Sequence, residues 1–324
     1  MAGRATRSAS RAALRAEAAE ATGPLGALSH DELGVVVDGL ADPLQPVVAV
    51  ALSSTCLGLR TPLKAALMVL KERHARALPM CRKVFGRRGC ERMRDADTVF
   101  LGNQPLTMDE MVAFGMILRT NGLPRMSYFA LVHIGIFGLP GVKELCEGPL
   151  CEGLRCGSAP ALTTLDLAGI ELGPAGAEAL AAALSRGAMP TIEKLQLSQN
   201  PIGNQGVAAL TTPVRKLSRL KRLQLVDCDI GDEGVASLVA DLGKDDFKAL
   251  KALSLHSNNE YQRADGGNKI TDVGVAKLVT CIDAGGLPNL MGFDEYERYG
   301  FLYGNPVSAT AARSLKDALD KRSR

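Results

Sequence analysis

The sequence predicts an α/β fold: a horseshoe-shaped solenoid with a parallel inner sheet and outer helices, preceded by a small all-α module. Three observations carry this prediction. One apolar frame recurs through the C-terminal two thirds of the chain. Helix-start and helix-stop signals follow the strand segments, at Pro174, Gly187, Thr107 with Glu110, and Gly243. Residues 24–60 hold short apolar helical segments that lie outside the frame.

Residues 162–180 read LTTLDLAGIELGPAGAEAL, 192–210 read IEKLQLSQNPIGNQGVAAL and 220–238 read LKRLQLVDCDIGDEGVASL. One pattern fits all three: L-x-x-L-x-L-x-x-(N/C/I)-x-(I/L)-G-x-x-G-x-x-x-L, at steps of 30 and 28 residues. Its L-x-L segment is a strand signature, and period 2 sends Leu165 and Leu167 inward and Asp166 outward. Asn200 and Asn258 stand where the chain leaves the strand, and a buried amide there can bond backbone groups of the turn. Helices follow the strands. Pro174 opens one that closes before Gly187, Thr107 and Glu110 form a capping box, and Gly243 after Leu242 predicts another stop. Strand, right-handed crossover and helix, repeated, give a stack in which each unit covers its neighbour's apolar face.

The pattern resembles the leucine-rich repeat, in its long ribonuclease-inhibitor-like form. The resemblance extends over residues 97–319, and residues 97–324 are read as the solenoid. Two weaker units lie upstream, one through Phe100, Asn103 and Leu106, the other through Met126, Phe129, Leu131 and Ile134. A last, disrupted unit contains Leu302, Asn305, Val307 and Leu315. The resemblance implies protein–protein interaction, with the outward strand column as the concave face. In that column stand Asp166, Gln196, Gln224 and His256 as candidate partner-binding residues, among smaller groups such as Thr164, Ser198 and Ser254.

Two insertions break the frame, after Asn258 and after Leu290. With the segment that follows, they carry four of the five tyrosines (Tyr261, Tyr296, Tyr299, Tyr303) and two arginines (Arg263, Arg298). Trp is absent, so Tyr and Arg are the available anchor residues. The insertions either dock a partner or fold inward to close the last repeat.

Residues 28–60 predict two helices separated by Asp42-Pro43, the first opened by the box Ser29…Glu32. Leu28, Glu32, Leu33, Val37, Leu40, Pro43, Leu44, Ala51, Leu52 and Cys56 make residues 24–60 resemble an F-box, although Ser29 replaces the usual Pro and the usual Trp is missing. That resemblance implies docking to a cullin-RING ubiquitin-ligase adaptor through Leu28, Leu33, Val37, Leu40, Pro43 and Leu44, with the solenoid selecting a target protein. The alternative is a scaffold or regulator, the GTPase-activating type included, whose N-terminal helices only cap the first repeat. Residues 61–96 continue as a basic helical linker, interrupted near Pro79 and Gly86. From Lys71 to Arg94 it holds nine basic and two acidic residues.

The net charge of +3 is uneven: 15 basic against 10 acidic residues over 1–97, and 23 against 25 over the remainder. A near-neutral solenoid argues against nucleic acid as its main partner. No apolar run is long enough for a membrane span, so no membrane association is expected. Residues 1–23 read as a disordered tail, with an Arg-rich transit peptide as the other reading of 1–22. None of the eight cysteines forms C-x-x-C, which points to reduced thiols in a cytoplasmic or nuclear protein; Cys146, Cys151 and Cys156 at five-residue steps do not fit paired zinc ligands. The histidines are scattered, and the Gly-x-x-Gly steps recur at the repeat period. No catalytic set, cofactor or metal is therefore expected, and the chain is read as a monomer outside its complexes.

Overall fold

The computed structural model describes residues 42–55, 57–102, 106–120, 123–132, 159–257, 267–291 and 302–322, together with Val36. Among the described residues, the N-terminal part holds the helices α1 (Val47–Thr55), α2 (Leu57–Phe85) and α3 (Gly89–Asp95). Strands and helices then alternate: β1 (Thr98–Phe100), α4 (Met108–Arg119), β2 (Tyr128–Ala130), β3 (Thr164–Asp166), α5 (Pro174–Ser185), β4 (Lys194–Gln196), α6 (Gly203–Arg215), β5 (Arg222–Gln224), α7 (Asp232–Val239), β6 (Ala252–Ser254), α8 (Asp272–Asp283) and α9 (Ala309–Arg322). The six strands form one sheet in chain order, and every neighbouring pair is parallel. Each of α5 to α8 packs on the helix that follows it. The predicted solenoid is thus observed.

The consensus positions form the core. Leu165, Leu195, Leu223 and Leu253 share one register row, and all are at most 2% exposed. The core is continuous from Leu44 to Leu319 and is mostly aliphatic. Phe114 stacks on Phe129 within it, at a centroid distance of 4.9 Å.

Turn amides tie the repeats together. Asn200 donates to the carbonyls of Leu167, Leu197 and Ser198, and its Oδ1 accepts from the amides of Ile170 and Leu172. The Ile170 turn, which has no amide of its own at that position, is therefore satisfied by the next repeat. Cys228 occupies the same station and directs its thiol at the Leu197 carbonyl, 3.3 Å away. In the following unit the station belongs to Asn268, which donates to Leu225 and Leu255 and accepts from Cys228 and Ile230. Asn258, expected at this station, lies outside the described residues, and the asparagine seen to continue the ladder is the one two residues before Ile270. Asn305 ends the series, donating to Leu255 and accepting from Ile270.

A second ladder runs along the helix starts. Asn204 Oδ1, at the start of α6, accepts from the amides of Gly231 and Gly234 at the start of α7. Asp232 does the same for Thr271 and Gly274, and Asp272 for Ser308. Each helix thereby satisfies orphan N–H groups of the next. The second glycine of each Gly-x-x-Gly makes this approach possible: a Cβ on Gly206 would sit 2.6 Å from Ile202 Cγ2, and one on Gly234 would sit 2.7 Å from Asn204 Oδ1.

Several local expectations change. Phe100 is 46% exposed while Val99 and Leu101 are fully buried, so the first unit is shifted by one residue from the predicted frame. α7 ends at Val239 rather than at Gly243. The Gly243 amide instead bonds Asp246 Oδ2 at 3.0 Å, inside a loop that seats Phe247 in the core. α2 runs unbroken through Pro79 and across the boundary expected at residue 60. Ala77, Met80 and Cys81 on its buried face hold it against the first repeat, which offsets the one backbone bond that Pro79 cannot make. The chain does turn at Gly86, at φ +77. The Thr107–Glu110 capping box and Pro174 at the start of α5 are as expected.

Candidate functional site

The outward-facing sheet positions form two register rows. Thr98, Tyr128, Thr164, Lys194, Arg222 and Ala252 make the first, and Phe100, Ala130, Asp166, Gln196, Gln224 and Ser254 the second. Because neighbouring parallel strands lie about 4.8 Å apart, each row is a continuous stripe. Thr164, Asp166, Lys194, Gln196 and Arg222 are half-buried and reach solvent at the centre of the face.

The face is graded from end to end. At β1 and β2 it is aromatic: Phe100 lies over Gly102 and Val132, where a glycine Cβ would meet both side chains. Tyr128 lies beside it. Burial and then the charge of Asp166, on the adjacent strand, push the Tyr128 phenol up. At the centre, Lys194 and Arg222 are register partners on adjacent strands. At β6 the face is closed, with Ala252 and Ser254 only 6% and 2% exposed.

Local bonds fix the polar side chains. Asp166 Oδ1 accepts from the Ala168 amide, and Gln196 Oε1 accepts from the Ser198 amide and hydroxyl. Ser198 Oγ in turn accepts from the Val226 amide, which carries the order from β4 to β5. Such preorganised side chains lose little freedom on binding.

Of the column expected from the sequence, Asp166 and Gln196 are accessible, whereas Gln224 is 7% exposed and is no open contact residue. His256 is half-buried at the strand exit. Ser254 on the same strand is sealed in, so the pair presents no open nucleophile. Tyr303 is 53% exposed, and its carbonyl accepts from the Ser257 amide, which ties the last unit to the end of β6. Tyr261, Arg263, Tyr296, Arg298 and Tyr299 lie outside the described residues.

Phe100 and Tyr128 are the binding candidates that sequence reasoning missed. Phe100 had been assigned inward by the shifted frame, and the alternation Val99-x-Leu101 was the signal that could have placed it correctly.

In the N-terminal module, Leu28, Leu33, Val37 and Leu40 lie outside the described residues, as do Cys146, Cys151 and Cys156. Pro43 and Leu44 are buried, and Leu44 is 4% exposed within the main core. Neither offers an open docking surface, which corrects the expectation for these two. The segment is fastened by His74 Nδ1 at 2.7 Å from the Pro43 carbonyl and by Arg94 paired with Asp42 at 2.7 Å. α2 packs on α4, so these helices cover the first repeat. Farther out, Val48, Val50, Met68 and Val69 are 40–65% exposed.

Among the described residues no cluster could hold a metal ion, and no helix is long and apolar enough to cross a membrane. No curated protein matches the chain. A family model described as Leucine Rich repeat matches residues 159–181, 188–210 and 217–239. These are the segments that carry β3–α5, β4–α6 and β5–α7. Residues 159–239 thus carry leucine-rich repeats.

Proposed function

We propose that the chain is a non-enzymatic scaffold that binds a protein partner across the concave face of β1 to β5. The observation that carries this reading is the composition of that face: an aromatic end at Phe100 and Tyr128, a charged centre at Asp166, Lys194 and Arg222, and rigid strands beneath both. Tyr and Arg are the residue types that anchor protein interfaces, and the side chains are already ordered. The N-terminal helices act chiefly as a cap. Reversing charge at the centre, as Lys194→Glu with Arg222→Glu, is expected to abolish partner co-purification and to leave the thermal midpoint unchanged. Unimpaired co-purification by a folded double variant would sink the proposal.

One observation favours a second reading, in which the chain is the substrate receptor of a cullin-RING ubiquitin ligase. Val48, Val50, Met68 and Val69 leave an exposed apolar strip on α1 and α2, within and just beyond the F-box-like stretch. On this reading the full chain binds purified adaptor saturably, and Val50→Asp with Met68→Asp removes the binding. A full chain that ignores the adaptor leaves the scaffold reading alone.

A further inference from the structure

A cleft of about 430 Å3 lies between the segment leading into α1 and the corner where α2 turns into α3. It has no residue on any strand, so it is separate from the concave face. One wall is apolar, made by Leu44, Pro46, Val47 and Leu78. The other carries Arg82, Arg87, Arg88 and Arg94, four cations against the two carboxylates of Glu91 and Asp95. Two of these guanidinium groups have carboxylate neighbours: Arg94 pairs with Asp42 at 2.7 Å, and Arg88 lies 4.0 Å from Glu91. Arg82 and Arg87 make no ion pair with any described residue. At the corner that presents them the chain packs closely on itself, since a Cβ on Gly89 would overlap the Cys81 carbonyl.

Cys90 also lines the cleft, where the hydrogen bond from Cys81 and the charge of Arg82 hold its thiol below the usual range against burial and the charge of Asp42.

We propose that this cleft binds a small phosphate monoester with an apolar or aromatic body. Guanidinium forks match phosphate oxygens in charge and geometry. The apolar wall accounts for the body, and the volume falls in the range of about 300–1,000 Å3 found for small-ligand pockets. A free inorganic anion would leave that wall unused.

The test is calorimetric titration of the full chain with phenyl phosphate and, separately, with inorganic phosphate. Phenyl phosphate is expected to bind saturably, and more tightly than inorganic phosphate. Arg82→Gln with Arg87→Gln should weaken it roughly tenfold or more, as loss of two charge-assisted contacts does. Val47→Ala should weaken phenyl phosphate severalfold and leave inorganic phosphate unchanged. Arg76→Gln, which removes only an exposed pair with Glu72 outside the cleft, should change neither. These four side chains are exposed, and circular dichroism is the check that the variants fold. No saturable binding at millimolar ligand, or binding indifferent to the arginine pair, overturns the site. Equal affinity for the two ligands overturns the assignment of the apolar wall.

Discussion

The repeats between Ala159 and Val239 and the helices between Asp42 and Asp95 share one continuous core, yet they are built on different logic. In the repeats every role recurs. Leu195 does what Leu165 and Leu223 do, and Asn200 does what Asn268 and Asn305 do, each against equivalent neighbours. In the N-terminal helices each contact occurs once: Leu44 in the core, His74 on Pro43, Arg94 on Asp42. Recurrence makes a position readable, because several copies of the same environment select the same residue type. A unique contact has no second copy to reveal it.

Substitutions can break this contrast, beginning where the effect is largest. Asn200→Ala leaves the Leu167 carbonyl and the amides of Ile170 and Leu172 without a partner, while the Leu197 and Ser198 carbonyls keep the Cys228 thiol and the Gly169 amide. At 1–3 kcal/mol for a buried group left unpaired, with partial relief by water, the loss should be about 4 kcal/mol in chemical denaturation. Leu44→Asp is next: a charge placed in the core where the helices meet the first repeat should cost about 3 kcal/mol. A loss near zero there would mean that the helices do not cap the solenoid. Asp232→Ala uncaps α8 in the neighbouring repeat and should cost roughly 1–2 kcal/mol, the range for a lost helix cap.

Asp246 gives a pH signature. Burial opposes its ionisation, but Lys216, the Gly243 amide and Arg215 outweigh burial and hold its carboxyl below the usual range. A depressed folded pKa contributes stability above the unfolded value of about 3.9, and that stability is lost as pH falls through the folded value. Asp246→Asn should therefore lower stability at neutral pH and flatten its decline in acid below about pH 4, as read from urea midpoints. The smallest effect should be Val50→Asp, which alters an exposed side chain and should shift stability by less than about 0.5 kcal/mol. The gap between Leu44→Asp and Val50→Asp, which differ only in burial, measures how far the N-terminal helices are cap rather than free surface.

The same contrast explains what the sequence could and could not reveal. The parallel sheet, the inward leucines and the turn amide at Asn200 follow from the repeated frame. Counted from the strand, the frame points to Asn258, which lies outside the described residues. Counting back from the apolar residue, as in Asn200-x-Ile202, Cys228-x-Ile230 and Asn305-x-Val307, selects Asn268. Phe100 was misread because a degenerate first unit has only one neighbour to check its register. The caps from Asn204, Asp232 and Asp272 act on the following helix, some 27 to 42 residues away, so no local pattern marks them. The cleft at Arg82 and Arg87 depends on how α2 and α3 fold over one segment. Charge counting found the basic run but not its shape.

The central claim is that partners meet the concave face. The most direct measurement places a photo-crosslinking residue at Gln196 on that face, or at Glu178 or Gln205 on the outer helices, in the full chain within its own cell extract. The account predicts that one specific adduct forms from position 196, is absent from 178 and 205, and disappears when Lys194→Glu and Arg222→Glu are added. Adducts from the helix positions with none from 196 would contradict it and place the binding surface on the outside of the solenoid.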